Sequence, residues 1–493
     1  MKKATLKKGE DFGLNIKQEE DFSNWYQQLL IKAELIDFTD ISGCYVLKPN
    51  SFAIWEQIQS TFDVMIKKDG VKNAYFPCLV TEKALKSESD NFNGFVPEVA
   101  WITKCGNKDL DNVIALRPTS EAIIYPIFSK WIRSYRDLPV RVNQWCNVVR
   151  WEMKRCMPFI RSREFLWQEG HSMFATKEEA DNEVYKVLEF YRILYEDFLA
   201  IPVTKGKKTD KEKFAGAVYT TTVEAFVPHT GRSIQAATSH SLGQNFSRAF
   251  DIKFEEKDHT TTFAWQNSWG LSTRSIGAMI MIHGDNQGLR LPPRIAPTHV
   301  VIVPIGKEDI VTVCHKIATS LERVRVRVDE SDASPGSKFA DSELHGIPVR
   351  IEVGARDLKT SSVTVYRRDL QSKQTMLLSD LAVQIPRLLD DIHDTMLLNA
   401  QTIKKNRTKQ VITYEEFIVA LDDNCIALVP FCLSVECENN IKTRTKSEDS
   451  IAKSNRSIKS LCRPLDQPVL SHDTKCFGCD NRAVEWCLFG KSY

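Results

Sequence analysis

Two strand-like stretches near residue 150 are the most informative part of the chain: Val149-Arg150-Trp151-Glu152 and Phe165-Leu166-Trp167-Gln168-Glu169-Gly170-His171. Alternate residues of a strand point to the same face, so Arg150 shares a face with Glu152. By the same parity, Trp167, Glu169 and His171 share one. Charged groups rarely lie unpaired beside a tryptophan on a solvated face. The pattern therefore predicts the floor of a small-molecule pocket, apolar in part and with a few aimed polar groups.

The connector between these stretches, residues 153–163, is basic: it contains Lys154, Arg155, Arg161 and Arg163. An arginine fork can bind two phosphate oxygens at once, so such a loop suits a polyanion such as a triphosphate. Charge alone favours the alternative, a solvated basic loop.

The same i, i+2 spacing recurs twice outside this region. Thr238 and His240 share a face of a further strand-like stretch. Thr119 and Glu121 have the same spacing, although Pro118 places them beside a turn into the following helix.

Length and charge bound the class of protein. The chain has 493 residues, which suggests two to four domains. Its 66 basic and 64 acidic residues give a net charge of +2, so any nucleic-acid partner would need a local basic surface. Neither a secretory signal nor an apolar run of about 18 residues is present. Most of the 13 cysteines are scattered, which is typical of reduced thiols. We expect a cytoplasmic protein without a membrane partner.

The chain divides at the proline-rich stretch 291–297. After it, strand-like and helical patterns alternate, which predicts a small α/β domain over 298–402. The basic run 404–409 is interpreted as a linker into a third unit, with a polar flexible loop over 439–460. These patterns together predict an α/β multidomain fold.

Two capping boxes mark the starts of predicted helices. Thr176 with Glu179 opens a helix whose apolar spacing continues to Phe198, and Thr413 with Glu416 opens a short one.

Six stretches in order along the chain resemble the motifs of class II aminoacyl-tRNA synthetases and, taken together, those of prolyl-tRNA synthetases of the eukaryotic and archaeal type. The two stretches quoted first resemble motif 2. The others are Leu116-Arg117-Pro118-Thr119-Ser120-Glu121, residues 238–246, residues 266–274, and Gly288-Leu289-Arg290-Leu291-Pro292-Pro293-Arg294, which resembles motif 3. The resemblance implies a class II antiparallel-sheet catalytic domain over 1–297, an α/β anticodon-binding domain over 298–402 and a small zinc-binding-like α+β domain over 403–493.

The family's reaction joins L-proline to ATP as prolyl-adenylate and then transfers the prolyl group to the 3′ end of tRNA(Pro). The resemblance also implies Mg²⁺ and a homodimer. Because the first step brings two anions together, it requires fixed positive charge at the phosphate.

Two arginines are expected to be catalytic by resemblance. Arg150 would contact the α-phosphate and the proline carboxylate, and Arg294 would contact the γ-phosphate. Glu152 would accept from the adenine amino group. The other expected ATP contacts are Arg161, Gln235, Thr238 and Arg274, and Gln235 would also help to hold magnesium.

The resemblance also assigns a proline pocket. Thr119 and Glu121 would bind the secondary ammonium, and Arg150 the carboxylate. The pocket wall would consist of Trp167, Glu169, His171, Phe214 and His240. Aromatic walls suit the flat, rigid ring of proline.

Two further regions have expected roles and open alternatives. The stretch with Phe95, Glu98 and Val99 resembles a family loop that closes over the site, and the alternative is a plain surface turn. Glu352 and Arg356 are expected to read anticodon bases, since unpaired bases are read by aimed donors and acceptors. The alternative is that Arg350 and Glu352 only line a strand in water.

Four cysteines near the C-terminus form two close pairs: Cys432 and Cys437, then Cys476 and Cys479. Such a set suits tetrahedral zinc, which the family's C-terminal domain also implies. The alternative is four ordinary reduced cysteines.

Two rival functions remain at this stage. A class II synthetase for another amino acid such as threonine would need a zinc-binding cysteine–histidine set in the pocket. A synthetase-like tRNA-binding module without activity would be indicated by a lost motif arginine, but Arg150 and Arg294 are both present.

Overall fold

The computed structural model describes residues 13–91, 99–151, 155–306, 308–447 and 458–493. The first unit opens with α1 (Phe22–Lys32), β1 (Ile36–Phe38), β2 (Tyr45–Leu47), α2 (Pro49–Lys68), β3 (Lys72–Asn73), β4 (Leu79–Thr81), α3 (Glu82–Asn91), β5 (Trp101–Cys105), β6 (Lys108–Leu116) and α4 (Glu121–Trp131). It continues with β7 (Val140–Val149), β8 (Glu164–Phe174), α5 (Lys177–Ile193), β9 (Val203–Lys207), β10 (Tyr219–Val227), β11 (Arg232–Gly243), α6 (Asn245–Ala249), β12 (Lys253–Glu255), β13 (Thr261–Phe263), β14 (Trp265–Ser272) and α7 (Arg274–His283).

The central sheet of this unit is antiparallel in the order β9-β10-β11-β14-β8-β7, with β3 parallel to β7 at one edge. Helices α2, α5 and α7 supply apolar residues to the core packed on this sheet. The antiparallel sheet that the resemblance implies is thereby confirmed. The two strands quoted at the outset are neighbours: β7 runs to Val149 and β8 begins at Glu164.

Helix α5 begins where its capping box predicts. The Thr176 side chain accepts from the Glu179 backbone N–H, and the Glu179 carboxylate accepts from the Thr176 backbone N–H. The α-helix ends at Ile193, and the predicted continuation to Phe198 is a π-helical turn, Leu194–Phe198. The apolar spacing extends through this turn because Leu194 and Tyr195 are still buried in the core.

The second unit has a five-stranded sheet, and its elements are β15 (Val300–Ile305), α8 (Glu308–Ser320), β16 (Val326–Val328), α9 (Pro335–Leu344), β17 (Val349–Gly354), α10 (Ala355–Lys359), β18 (Ser362–Arg367), β19 (Ser372–Leu377) and α11 (Leu381–Asn406). β16, β15 and β17 are parallel, and β18 and β19 continue the sheet antiparallel. The predicted α/β pattern is confirmed here, although β19 is exposed along most of its length and has no apolar alternation by which it could be recognised.

The third unit comprises β20 (Thr408–Gln410), α12 (Tyr414–Asp422), β21 (Ile426–Phe431), α13 (Val435–Ser447), β22 (Ile458–Pro464) and β23 (Glu485–Ser492). β22 pairs with β9 and β23 pairs with β11, so its strands extend the catalytic sheet to eleven. The third unit is therefore joined to the catalytic unit by backbone hydrogen bonds.

Two expectations for this region were wrong. The basic run 404–409 is not a linker: it is the last turn of α11 followed by β20. Cations favour a helix C-terminus, and Arg407 donates to the carbonyl of Asp423 at 2.6 Å, so the basic residues are used structurally. The expected loop over 439–460 is largely helix α13 up to Ser447 and strand β22 from Ile458, and residues 448–457 lie outside the described part.

The catalytic and second units meet at Asp285. The guanidinium of Arg368 donates to both Asp285 carboxylate oxygens at 2.8 and 2.6 Å, and Arg290 pairs with the same carboxylate at 2.7 Å. Arg368 and Arg290 hold the pKa of Asp285 below its usual range, against the effect of burial. The nearby His283 faces the carbonyl of Leu199 at 3.0 Å. The residues of the His283-Gly284-Asp285 stretch therefore lie in a domain junction.

Candidate functional site

A cavity of about 340 Å³ opens on the central sheet between β8, β11 and β14. The alternation of side chains along β8 determines which of them face the cavity. Trp167, Glu169 and His171 line the cavity, whereas Gln168 accepts from Tyr191 of α5 on the opposite side at 2.9 Å. All eight predicted proline-binding residues line this one cavity: Thr119, Glu121, Arg150, Trp167, Glu169, His171, Phe214 and His240.

A buried carboxylate, Glu169, lies at the floor of the cavity with several donors around it. Ser120 Oγ and Gln144 Nε2 donate to one oxygen at 2.5 and 2.9 Å, and His171 Nε2 lies 3.1 Å from the other. Burial alone would raise the pKa of Glu169, but the hydrogen bonds from His171, Ser120 and Gln144 lower it below its usual range. Glu169 is therefore a fixed negative charge in the cavity.

A second carboxylate, Glu121, begins helix α4 beside Glu169. The hydroxyl of Thr119 donates to Glu121 Oε2, and both side chains line the cavity. Burial raises the pKa of Glu121, and the negative charge of Glu169 acts in the same direction. A cationic ligand between these carboxylates would relieve that repulsion, so this corner suits an ammonium group.

The opposite wall of the cavity is aromatic. The ring centroids of Phe214 and His240 are 4.8 Å apart, and Thr220 Oγ1 lies 2.9 Å from His240 Nδ1. Burial, together with the charge of His171, lowers the pKa of His240 to about 3, so its ring is neutral near pH 7. This wall offers flat, uncharged surfaces to a small ring.

Three arginines form the cationic side of the site. Arg150 Nε donates to the carbonyl of Pro118 at 2.9 Å, and its guanidinium carbon lies 5.3 Å from the centroid of the Trp167 ring. Arg274 Nε donates to the carbonyl of Ile160 at 3.1 Å. Burial lowers the pKa of Arg274, and the positive charges of Arg150 and Arg161 lower it further, while all three remain charged near pH 7. This concentration of like charge suits a polyanion.

Of the other predicted ATP residues, Gln235, Thr238 and Arg274 line the cavity with Arg150. Arg161 lies just outside the lining, in a tight turn that places its backbone against Met157. Glu152 falls outside the described residues.

Arg294 lies away from the cavity. Its guanidinium donates to the carbonyl of Asp197 at 2.8 Å and lies 3.9 Å from Asp390 of α11. The preceding strip docks on the second unit, where the backbone N–H groups of Leu289 and Leu291 donate to the carbonyls of Leu344 and Gly346. The structure therefore does not support the expected phosphate contact of Arg294, because its stretch connects two domains.

The sequence reasoning missed several lining residues. They come from four strands and the loop between β9 and β10: Phe165, Gly170, Glu212, Thr220, Ala236, Ala237, Ser268, Trp269, Gly270, Leu271 and Ser272. In β14, the small residues Ser268, Gly270 and Ser272 alternate with Trp269 and Leu271. Strand parity could therefore have indicated these three small residues.

The predicted lid lies mostly outside the described part of the chain: Phe95 and Glu98 are not described. Val99 is half-buried and packs on the small apolar cluster of Val80, Leu85, Ala115 and Ala122.

The two predicted anticodon residues differ in environment. Glu352 is buried on β17, where Arg350 Nε donates to one oxygen at 3.0 Å and Lys373 Nζ to the other at 2.8 Å. Both the base-reading role and the alternative of a strand in water require an accessible Glu352 side chain, and its burial fits neither. Arg356 is exposed at the start of α10.

The four C-terminal cysteines converge, as predicted. Cys437 Sγ lies 3.8 Å from Cys476 Sγ, Cys479 Sγ lies 3.7 Å from Cys432 Sγ, and all four sulfurs are within 4.8 Å of one another. A tetrahedron with Zn–S bonds of about 2.3 Å has edges of about 3.8 Å, so the set fits a zinc ion. Within the described ranges, this is the one cluster of three or more potential metal ligands, so the cavity offers no set for the zinc that a threonine-type enzyme would need.

A search of the described helices finds none that is both long and apolar enough to cross a membrane.

Comparison with known proteins supplies the family. The tRNA synthetase class II core domain (G, H, P, S and T) matches residues 103–283, the anticodon binding domain matches 299–388, and the C-terminal domain of prolyl-tRNA synthetase matches 414–493.

Whole-chain relatives agree. The chain is 48% identical to the cytoplasmic proline–tRNA ligase of Arabidopsis thaliana, covering 100% of this chain and 93% of that protein. It is 47% identical to the proline–tRNA ligase of Encephalitozoon cuniculi, covering 98% of this chain and 99% of that one. The crystal structure of prolyl-tRNA synthetase from Cryptosporidium parvum, complexed with halofuginone and AMPPNP, matches with a TM-score of 0.94 at 45% identity over 98% of this chain and 100% of that chain. These matches confirm the resemblance, the three-part fold and the enzyme class, and the chain belongs to the prolyl-tRNA synthetase family of class II aminoacyl-tRNA synthetases.

Proposed function

We propose that the cavity on the central sheet activates L-proline with ATP and then transfers the prolyl group to tRNA(Pro). The observation that carries this proposal is the division of one cavity into an anionic corner, an aromatic wall and a cationic side. The related Cryptosporidium parvum enzyme was crystallised with AMPPNP, an ATP analogue.

The anionic corner receives the proline ammonium. The carboxylates of Glu121 and Glu169 lie on one side of the cavity, and Thr119 orients the first of them. A secondary ammonium has two N–H groups, and these two acceptors are both fixed before the ligand arrives. The neutral rings of Phe214 and His240 contact the pyrrolidine ring, because an uncharged flat wall favours an apolar flat ligand.

The cationic side binds the triphosphate and the proline carboxylate. Arg150 lies between the two subsites, since it contacts the carbonyl of Pro118 and the ring of Trp167. It can therefore hold the attacking carboxylate and the α-phosphate together and offset the charge that accumulates there. Arg274 and Arg161 supply further positive charge, and Gln235 and Thr238 supply polar contacts along β11.

Magnesium would enter with the nucleotide. Mg²⁺ in nucleotide sites keeps waters and phosphate oxygens and takes few protein ligands. The amide oxygen of Gln235, which lies on the exposed side of β11 in the cavity lining, is of the required type. Glu152 is retained as the expected adenine contact.

Proline-dependent exchange of pyrophosphate into ATP tests this function. We expect exchange with proline and little with other amino acids, because the anionic corner and the aromatic wall suit a secondary ammonium on a small ring; for threonine, the described cavity residues also include no metal-ligand set. Exchange stimulated by another amino acid but not by proline would contradict the proposal.

The arginine assignment has a matched pair of variants. Arg150→Ala should lower the exchange rate by about a hundredfold or more, because a transition-state charge partner is lost. Arg294→Ala should leave it within a few-fold, because its guanidinium contacts Asp197 and Asp390 outside the cavity. Circular dichroism checks that both variants fold. The reverse ranking would move the phosphate site to Arg294.

The second unit binds the anticodon of tRNA(Pro), in keeping with its match to the anticodon binding domain. Arg356, exposed on α10, is the stronger candidate for a base contact, whereas Glu352 shares its carboxylate with Arg350 and Lys373. We also propose that the enzyme is cytoplasmic and homodimeric. Sedimentation of the purified chain would test whether it is a dimer.

The third unit holds a structural zinc ion through Cys432, Cys437, Cys476 and Cys479. Elemental analysis should find about one zinc per chain in the wild type, as four thiolates suit one tetrahedral ion. Cys476→Ser should lose the metal and lower the melting temperature, because metal binding contributes to folding. Cys425→Ser, a buried cysteine outside the cluster, is the control and should keep the metal. A wild-type protein that keeps its melting temperature after the metal has been removed would contradict this assignment.

A further inference from the structure

The loop over residues 208–217, between β9 and β10, carries part of the pocket wall. Glu212 and Phe214 of this loop line the cavity. The carbonyl of Thr209 accepts from the backbone N–H groups of Glu212 and Lys213 at 3.1 and 3.0 Å, so Thr209 begins the turn that contains them. Thr209 is thus one anchor of the segment with Glu212 and Phe214, and a second is Thr220, whose Oγ1 accepts from the backbone N–H of Phe214 at 3.0 Å.

The base of this loop is held by the third unit and not only by the catalytic unit. Lys208 Nζ donates to the carbonyl of Leu461 at 2.7 Å and to Glu224 at 2.6 Å. Thr209 Oγ1 lies 3.1 Å from Ser460 Oγ, which donates to Glu438 Oε1 at 2.7 Å. The Thr209 hydroxyl also interacts with the Glu438 carboxylate, so both hydroxyls depend on this one side chain.

This chain of hydrogen bonds is closed to water. Thr209, Ser460 and Glu438 are 3%, 2% and 3% exposed, respectively. A buried polar group that loses its partner has no water to replace it, so each link constrains the next. A displacement of α13, which carries Glu438, would therefore displace Thr209 as well.

The backbones on either side of this chain are also in close contact. β22 pairs with β9 through Pro464 and Gly206, and a Cβ on Gly206 would lie 2.6 Å from Cys462 Sγ. At the outer end, Lys459 Nζ lies 3.2 Å from Glu212 Oε2. The strand that carries Ser460 thus reaches from the sheet edge to a residue of the pocket itself.

We propose that Ser460 and Glu438 of the third unit are positioning residues for amino-acid binding, which act through Thr209 on the pocket wall at Glu212 and Phe214. This inference rests on the proposed function, because it assigns that wall to the proline subsite. It gives the C-terminal unit a part in the amino-acid site although neither Ser460 nor Glu438 is in the cavity lining. The ATP side, with Arg150 and Arg274, comes from other elements, so the effect is selective.

Kinetics of pyrophosphate exchange on the full-length chain test the inference. Ser460→Ala and Thr209→Val should each raise the KM for proline about tenfold, the effect of one buried hydrogen bond, with kcat changed less than about threefold. The KM for ATP should stay within about twofold of the wild type. The two effects should be less than additive in the double variant, because both single variants remove the Thr209–Ser460 contact.

Thr445→Val is the matched control. Thr445 is a buried hydroxyl of α13 that donates to the carbonyl of Ile441 within its own helix. This variant should leave the KM for proline unchanged. An equal rise in the control would mean that any loosening of the third unit has this effect, and would overturn the inference. So would folded Ser460→Ala and Thr209→Val enzymes with the wild-type KM for proline, or with equal rises for ATP.

A milder variant and a second measurement keep the inference testable if Ser460→Ala or Thr209→Val does not fold. Lys459→Gln breaks a partly exposed ion pair, which does not threaten the core, and should raise the KM for proline about twofold, the effect of a weak surface pair. Hydrogen exchange of residues 210–216 should be faster in Ser460→Ala than in Thr445→Val, and equal rates would overturn the inference. A wild-type chain without proline-dependent exchange would contradict the proposed function, while the hydrogen-exchange comparison would still decide whether the third unit holds the loop.

Discussion

At the scale of single residues, burial and hydrogen bonding set the charge of each titratable side chain in the cavity. Glu169 is buried, yet its negative charge is maintained by donors from Ser120, Gln144 and His171. His240 is buried and neutral because burial and the charge of His171 both disfavour its ionised form, and its contact with Thr220 does not offset them. Two buried titratable side chains of one cavity thus differ in charge, because several donors stabilise only the ionised form of Glu169.

Gly170 gives a prediction at this scale. It lies opposite Trp269 in the β8–β14 pairing, and a Cβ at Gly170 would lie 2.1 Å from the Trp269 ring. Trp269 is 1% exposed and cannot move aside. Gly170→Ala should therefore lower the free energy of unfolding by about 1–3 kcal/mol or more through overpacking, and reduce proline-dependent exchange, because both residues line the cavity.

The control for this change is Gly336→Ala, where no atom lies within 4 Å of an added Cβ. We expect it to be neutral or slightly stabilising, because alanine restricts the unfolded chain. Denaturant unfolding of both variants measures the difference. A Gly170→Ala protein as stable as the control would contradict the packing argument.

At the scale of elements, strand parity was informative, and the resemblance of the stretch ending at Arg294 to motif 3 was not. The side chains of Trp167, Glu169 and His171 face the cavity, whereas Gln168 and Ser172 contact α5, as the spacing predicts. The stretch ending at Arg294 gave no such signal, and its resemblance to a motif led to a phosphate contact that the structure does not support. Arg274, at the start of α7, lies where a strand leads into a helix over the cavity. Local spacing specifies which face a residue is on, but not where an irregular connector leads.

At the scale of the whole molecule, buried histidines make stability depend on pH. Burial lowers the pKa of His283 and His393 to about 4 each, and nearby positive charges, among them Arg290 and Arg294, act in the same direction. In the unfolded chain their pKa is about 6.5. Below that value the unfolded state binds protons that the folded state does not, so the free energy of unfolding should fall as pH drops from about 6.5 toward 4.

Each buried histidine contributes up to about 1.4 kcal/mol per pH unit in this window. His393→Leu, at a position 1% exposed, should therefore make the dependence less steep, while His472→Asn, at an exposed position, should not. Denaturant unfolding at several pH values provides the measurement. An identical slope in the wild type and His393→Leu would show that His393 is not neutral in the fold.

The sequence by itself determined the α/β alternation of the second unit, the capping of α5, the parity of β8 and the pairing of four cysteines, because these follow from local spacing and residue type. The resemblance added the eight residues of the proline subsite, which come from five separate parts of the chain. Only the tertiary structure decided that Arg294 serves a domain junction, that Glu352 is buried between two cations, and that the third unit extends the catalytic sheet and holds the 208–217 loop. Those facts depend on contacts between residues up to about 250 positions apart, such as Thr209 with Ser460. Such contacts are set by how whole elements pack, which spacing along the chain does not encode.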